Sequence, residues 1–430
     1  MNQTRRLRLS KLSLGLVVAL AAAPAFAQSP SAGVGGLVTD NGGQPVAGAE
    51  VTITHVESGT VSRATTDDSG RYNARGLRVG GPYQVTITKS GSGTKTEDNV
   101  FLTLNQVNTV NAARTGDLTT LETVTAVGFS GGSEVFSATK MGSGTSVDRV
   151  TIEALPSVNG NIQDYMRLDP RVTFSDRASG SITAGGMNPR FNKITIDGVS
   201  ASDTFGLEGN NMPTQRQPVS MEAIEAIDVN LSNYDVTMSG AAGANVNAVT
   251  KSGTNEFHGS VYGTYRDGDW FGDYPGRVAG STAVNVTGMP FDEYDNESTW
   301  GVTLGGPIVK DKLFFFANYE KFKQTNIGPA GKSQGTNPLA AGNADFDAAD
   351  LAAVQDIARN VWGFDAGGLT GGGDTQLEEY ALKLDWNISD AHRASLRYSK
   401  LEQNRVRPEA STASILALSR RPTMTGQPAS

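Results

Sequence analysis

Apolar and polar residues alternate with period two along much of this chain. Val51-Thr52-Ile53-Thr54 and Tyr83-Gln84-Val85-Thr86-Ile87-Thr88 are short alternating runs. Asn41-Gly42-Gly43, Asp67-Asp68-Ser69-Gly70 and Gly80-Gly81-Pro82 separate such runs as turns. Strands punctuated this way predict a small β-sandwich over residues 33–115. Residues 116–145 read as a linker, with one β-prone island at Leu121 to Gly128. Residues 146–252 mix periods and predict an α/β unit. A short helix is expected at Ile162 to Leu168, and a strand at Ile194 to Val199 runs into a turn. A helix over Met221 to Ile227 is expected to feed the strand Ile227-Asp228-Val229, and Asn245 to Thr250 is a further strand.

From residue 253 to 430 the alternation is longer and stricter. Phe257, Gly259, Val261, Gly263 and Tyr265 share one face, with His258, Ser260, Tyr262, Thr264 and Arg266 on the other. Leu382, Leu384, Trp386 and Ile388 oppose Lys383, Asp385 and Asn387, and Ala394, Leu396 and Tyr398 oppose Arg393, Ser395, Arg397 and Ser399. Five strands are expected, at 256–267, 298–309, 312–324, 375–388 and 392–401. Their connections alternate between long (268–297 and 325–374) and tight (310–311 and 389–391). Segments of this length, joined by long loops on one side and tight turns on the other, are the pattern of an outer-membrane β-barrel. Within the second long loop, Leu351, Val354, Ala358 and Val361 have helical spacing and predict a short amphipathic helix.

The first 27 residues stand apart. Arg5, Arg6, Arg8 and Lys11 precede an apolar run from Leu12 to Ala23, and Ala25-Phe26-Ala27 is an A-x-A site. This is a secretory signal peptide cleaved between Ala27 and Gln28, too short to span a bilayer as a helix. Composition then narrows the function. The chain has 430 residues, 51 of them Gly, and no Cys, so disulfides, thiolate metal sites and a cysteine nucleophile are excluded. Only His55, His258 and His392 are available, without zinc-ligand spacing. The leader holds four basic residues and no acid, so the exported chain is more acidic than the formal −8 of the whole, which argues against nucleic acid as a partner.

Several stretches resemble known families. Val34 to Asp40, Pro45 to Val51, Thr66 to Tyr72 and Gly81 to Ile87 resemble the carboxypeptidase regulatory-like domain, a transthyretin-like sandwich that is not itself a peptidase. Ile194 to Val199, Ile224 to Val229 and above all Gly243 to Gly259 resemble the plug domain of TonB-dependent outer-membrane receptors. Asp197, Gly198, Asn247, Thr250, Lys251, Gly253 and Asn255 carry that plug motif. Gly301 to Ile308 and Lys312 to Phe316 resemble early barrel strands of the Oar-like group. The fold class is therefore mainly β: sandwich, then α/β plug, then the first strands of a large antiparallel transmembrane barrel.

The resemblance implies a plug-gated receptor for a large nutrient ligand, inserted by the barrel-assembly machinery into outer-membrane lipid after Sec-dependent export. It implies energising by a TonB-type periplasmic protein, which would take Glu122, Thr123, Val124, Thr125 and Ala126 as an added strand, the TonB box. No catalytic residue, metal or cofactor is expected. Gly128-Phe129-Ser130-Gly131-Gly132 matches a nucleophile motif but lacks the strand–turn–helix context. Asp292, Glu293, Asp295 and Glu297 read as a solvated loop rather than a calcium site. Five strands cannot surround a plug with a radius of gyration of roughly 13 Å. The chain is thus expected to be the N-terminal portion of a longer receptor. A truncated or soluble periplasmic binding protein that does not transport is the alternative.

Overall fold

The computed structural model describes residues 31–40, 42–89, 93–113, 144–155, 157, 160–176, 180–206, 208–231, 242–272, 294–327, 348–365, 373–390 and 392–405. Cleavage at Ala27–Gln28, the 122–126 box and the Gly128–Gly132 motif lie outside these residues.

The sandwich comprises β1 (Ala32–Thr39), β2 (Glu50–His55), β3 (Thr60–Thr65), β4 (Arg71–Leu77), β5 (Gly80–Thr88), β6 (Thr94–Leu102), β7 (Val107–Thr109) and β8 (Ala112–Ala113). One sheet runs β4-β1-β7, with β8 also on β1, and the other β3-β2-β5-β6. Alternate residues of the predicted runs face inward, so Val51, Ile53, Val85 and Ile87 are fully buried between the sheets.

The plug unit starts at β9 (Gly144–Val147), inside the stretch expected as linker. Helices α1 (Arg149–Ala154) and α2 (Ile162–Met166) follow, then β10 (Val172–Asp176), β11 (Ser181–Ala184), β12 (Lys193–Ile196), β13 (Val199–Ser200), β14 (Ile224–Asn230) and β15 (Asn245–Thr250). Its main sheet has the order β13-β12-β15-β14-β9. The helix expected over Met221 to Ile227 is corrected: only Met221–Ala223 turns, as a 3-10 helix capped by the Ser220 hydroxyl, and β14 begins at Ile224. The cause is burial on both faces. Ile224, Ala226, Ile227, Asp228 and Val229 are all buried, so the run shows no alternation from which a strand could be read.

The third unit is one antiparallel sheet: β16 (His258–Asp267), β17 (Asn296–Val309), β18 (Leu313–Ile327), β19 (Gly373–Ser389) and β20 (His392–Asn404), in sequential order. The expected long-loop helix is α3 (Ala348–Trp362). The sheet is open, with β16 and β20 at its edges. One face carries exposed Val261, Trp300, Leu304, Leu382, Trp386, Leu396 and Tyr398. Trp300, Tyr319 and Tyr380 form an aromatic row near the long-loop end, each ring 5.0 Å from the next. Phe257 and Phe315, 6.3 Å apart, lie toward the tight-turn end. Tyr380 and Trp386 are separated by about 20 Å along β19, close to the height of an outer-membrane apolar band.

Candidate functional site

The opposite face of this sheet grips the plug, and its polar residues form a ladder from tight turns to long loops. At the tight-turn end Lys383 Nζ donates to the Thr250 carbonyl at 3.1 Å and lies 3.8 Å from Asp197 Oδ1, while Arg397 Nε is 3.4 Å from Asp197 Oδ2. Midway, Glu379 accepts from Ser220 N–H at 2.8 Å and from Asn318 Nδ2 at 3.0 Å, fully buried. Tyr262 Oη donates to Glu320 at 2.7 Å and meets the Ser220 hydroxyl at 2.5 Å. Arg216 of the plug lies over Phe322, 4.4 Å from ring centre, and reaches Thr299 Oγ1 at 3.2 Å. At the long-loop end Gln403 accepts from Gln215 N–H at 2.9 Å, and Arg405 Nη1 donates to both oxygens of Glu208 at 2.7 and 2.6 Å. Every barrel member is an inward position of the alternation.

The plug-motif residues gather at the tight-turn end of this ladder, except Asn247. Asp197 and Gly198 both have positive φ, 48° and 82°, and make the two-residue turn between β12 and β13 that such a dipeptide favours. The Asp197 carboxylate also accepts from Thr250 N–H at 2.9 Å and from Thr250 Oγ1 at 2.6 Å, tying this turn to the end of β15. Lys251 N–H donates to the Ala223 carbonyl at 2.8 Å, and burial with the Arg149 charge holds its amine below the usual lysine range. Gly253 passes so close to the barrel strands that a Cβ would collide with the Phe315 carbonyl oxygen. Asn255 exchanges two 2.8 Å hydrogen bonds with Asp311, in the first tight turn. Asn247 sits inside the plug sheet, accepting from Thr195 Oγ1 at 3.0 Å.

Sequence reasoning missed the barrel half of the site. Lys383, Arg393 and Arg397 were visible as members of polar faces, but not as partners of particular plug residues. Arg78, at the junction of the units, gave no signal in the sequence, and Glu225 was visible only as part of the plug-like stretch Ile224 to Val229. Of the acidic loop, Glu297 is paired with Arg266 at 2.9 Å, and Asp292 and Glu293 lie outside the described residues. No cluster of three or more metal-ligating side chains occurs among the described residues.

Comparison with known families gives the same three units in the same order. Residues 33–115 match the carboxypeptidase regulatory-like domain, 139–246 the TonB-dependent receptor plug domain, and 249–363 an outer-membrane β-barrel domain. The chain carries the domain series of TonB-dependent outer-membrane receptors. The chain is 26% identical over 394 residues to the TonB-dependent transporter Oar of Myxococcus xanthus, covering 89% of this chain and 34% of Oar. It is 30% identical over 200 residues to a probable TonB-dependent siderophore receptor, PirA of Acinetobacter baumannii, covering 42% of this chain and 23% of PirA. The crystal structure of that PirA overlaps 62% of this chain and 32% of its own, at 22% identity and a TM-score of 0.40, a score at which the superposition decides nothing. The receptor chain thus spans about a third or less of the length of these relatives.

Proposed function

We propose that this receptor is the plug-bearing part of an outer-membrane transporter that imports a large ligand under power from a TonB-type periplasmic protein. The observation that carries the reading is the ladder. The plug is held to the barrel wall largely by separable ion pairs and hydrogen bonds, with Phe316 of β18 reaching into the plug's apolar core. Such a seat is specific when closed, and each rung can be exchanged for water as it opens. The ligand enters from the long-loop side, where the Glu208–Arg405 rung is the first contact between plug and wall. Siderophores belong to the candidate class, by the PirA relative. The receptor performs no chemistry on its cargo and needs no cofactor.

The energising partner takes Glu122 to Ala126 as an added β-strand, using main-chain hydrogen bonds. The linker position of this segment, between β8 and β9, supports the assignment, because a pull there loads the plug sheet at its edge strand. Deletion of 121–127 is expected to abolish uptake while the protein still reaches the outer membrane. Unchanged uptake would overturn the proposal.

A further inference from the structure

We infer that the N-terminal sandwich is a lock on the plug, and that Arg78 is the side chain that must withdraw before the plug can leave its seat. The inference rests on the transport reading above, because it presumes a plug that moves.

The sandwich packs against the tight-turn end of the barrel and the underside of the plug together. On the barrel side, Arg63 Nε is 3.3 Å from Asp390, Asn387 Nδ2 donates to Thr60 Oγ1 at 2.7 Å, and Arg393 Nη1 donates to the Gly76 carbonyl at 3.0 Å. On the plug side, Leu104 and Val79 close over Ala226 and Val249, and Asn105 Nδ2 donates to Asp228 Oδ2 at 3.1 Å. The same rigid sandwich therefore spans the two bodies that must separate.

Arg78 enters from the turn between β4 and β5. It reaches the point where the plug chain crosses into the barrel sheet, donates to the Gly253 carbonyl at 3.0 Å and lies over the Phe314 ring at 5.1 Å. Its side chain is 16% exposed. Gly253 is also a position where close approach to the Phe315 carbonyl admits no side chain, so Arg78 fixes a passage with no room for a Cβ.

The form of the contact suits release. Arg78 Nη2 faces Asp385 Oδ2 at 4.0 Å, and neither atom makes a hydrogen bond. The pair is desolvated but unfinished, so separating it forfeits less than separating a completed bidentate pair. The apolar portion joins a few side chains, whereas the sandwich has its own separate core between its sheets. A domain with its own core and a small mixed interface can undock as a unit. While docked, it covers β14, β15 and Gly253 from the side on which the partner pulls.

These 430 residues hold no cysteine, so thiols introduced here meet no native thiol among them, and any cysteine elsewhere in the complete protein is replaced first. In the complete protein as the cell makes it, Ser252→Cys reports the plug seat through its rate of maleimide labelling. Energised cells are expected to label it faster than cells treated with a proton uncoupler. Thr60→Cys with Asn387→Cys bridges sandwich to barrel, and closing that bridge should remove the energy-dependent increase, with reductant restoring it. Energy-dependent labelling that persists with the bridge closed overturns the lock. A second variant needs no energised partner. Arg78→Met keeps bulk over Phe314 but loses the charge and the bond to Gly253. In uncoupled cells it should raise labelling of Ser252→Cys about tenfold, the size of one lost charge-assisted hydrogen bond. An unchanged rate overturns the lock. A raised rate in Arg78→Met with no effect of energy in the unbridged protein would leave the lock standing and sink the transport reading.

Discussion

Asp197 does two things with one side chain. Its backbone takes the left-handed conformation of the β12–β13 turn, and its carboxylate faces Lys383 and Arg397, whose side chains are 11% and 15% exposed. Asp197→Asn separates the roles, because Asn tolerates positive φ equally well but carries no charge. It should destabilise the seated plug by about 3 kcal/mol, the cost of leaving buried charges unpaired. Urea unfolding of the plug in detergent measures this, and adding Lys383→Met should recover some of the loss. The turn was legible in the sequence because an Asp-Gly pair acts locally. Its cationic partners were not, because they reside on strands far along the chain. Glu225 supports a second prediction. Burial raises its carboxyl above the usual range, more than neighbouring Lys251 and Arg149 lower it, with Glu57 raising it further and Lys383 also in reach. A Cβ on Gly80 of the sandwich would stand 2.6 Å from Glu225 Oε1, so the docked sandwich contributes to that burial. A raised carboxyl contributes stability fully below its ordinary range and loses it as pH rises through the raised value. Docking, read as protection of the linker from protease, should therefore weaken with rising pH in the native protein. In Glu225→Gln that contribution should no longer depend on pH.

At the scale of elements, the strands of the barrel sheet were the most legible region of the molecule. Their alternation survives because one face meets lipid and the other meets the polar flank of the plug, so each side chain reports its own side. In β14 both faces are buried, alternation vanishes, and a capped turn before an Ile-rich run looks like a helix start. The faces can be tested on β19. Leu382 points outward between the two aromatic zones and is 43% exposed, while Lys383 beside it points to the plug. Leu382→Arg should cost about 2–4 kcal/mol of barrel stability, as expected for a charge near the middle of the apolar band. Heat-modifiable gel mobility of the membrane-inserted protein reads this directly. Lys383→Leu should leave barrel assembly intact and weaken only the plug.

At the scale of the whole molecule, the linker joins two bodies held in opposite ways. Among the described residues the sandwich ends at the two-residue strand β8, and the plug begins at β9, which pairs with β14 at the edge of its sheet. Tension between them reaches an edge strand from its end, where hydrogen bonds break in succession instead of all at once. A partner that adds itself as a strand needs main-chain donors and acceptors at 122–126 and little from the side chains. This is why the proposed box rests on its position and β-propensity and not on any distinctive residue. It also sets the form of the test. Val124→Thr preserves β-propensity and every main-chain group, so partner-dependent uptake should remain near that of the native protein. Val124→Pro removes one N–H and fixes φ in the middle of the added strand, so uptake should fall sharply. The energy-dependent labelling of Ser252→Cys should disappear with it, while the amount of protein in the outer membrane is unchanged. If both variants behave alike, recognition at 122–126 is not by strand addition, and the pull on β9 must originate elsewhere in the linker.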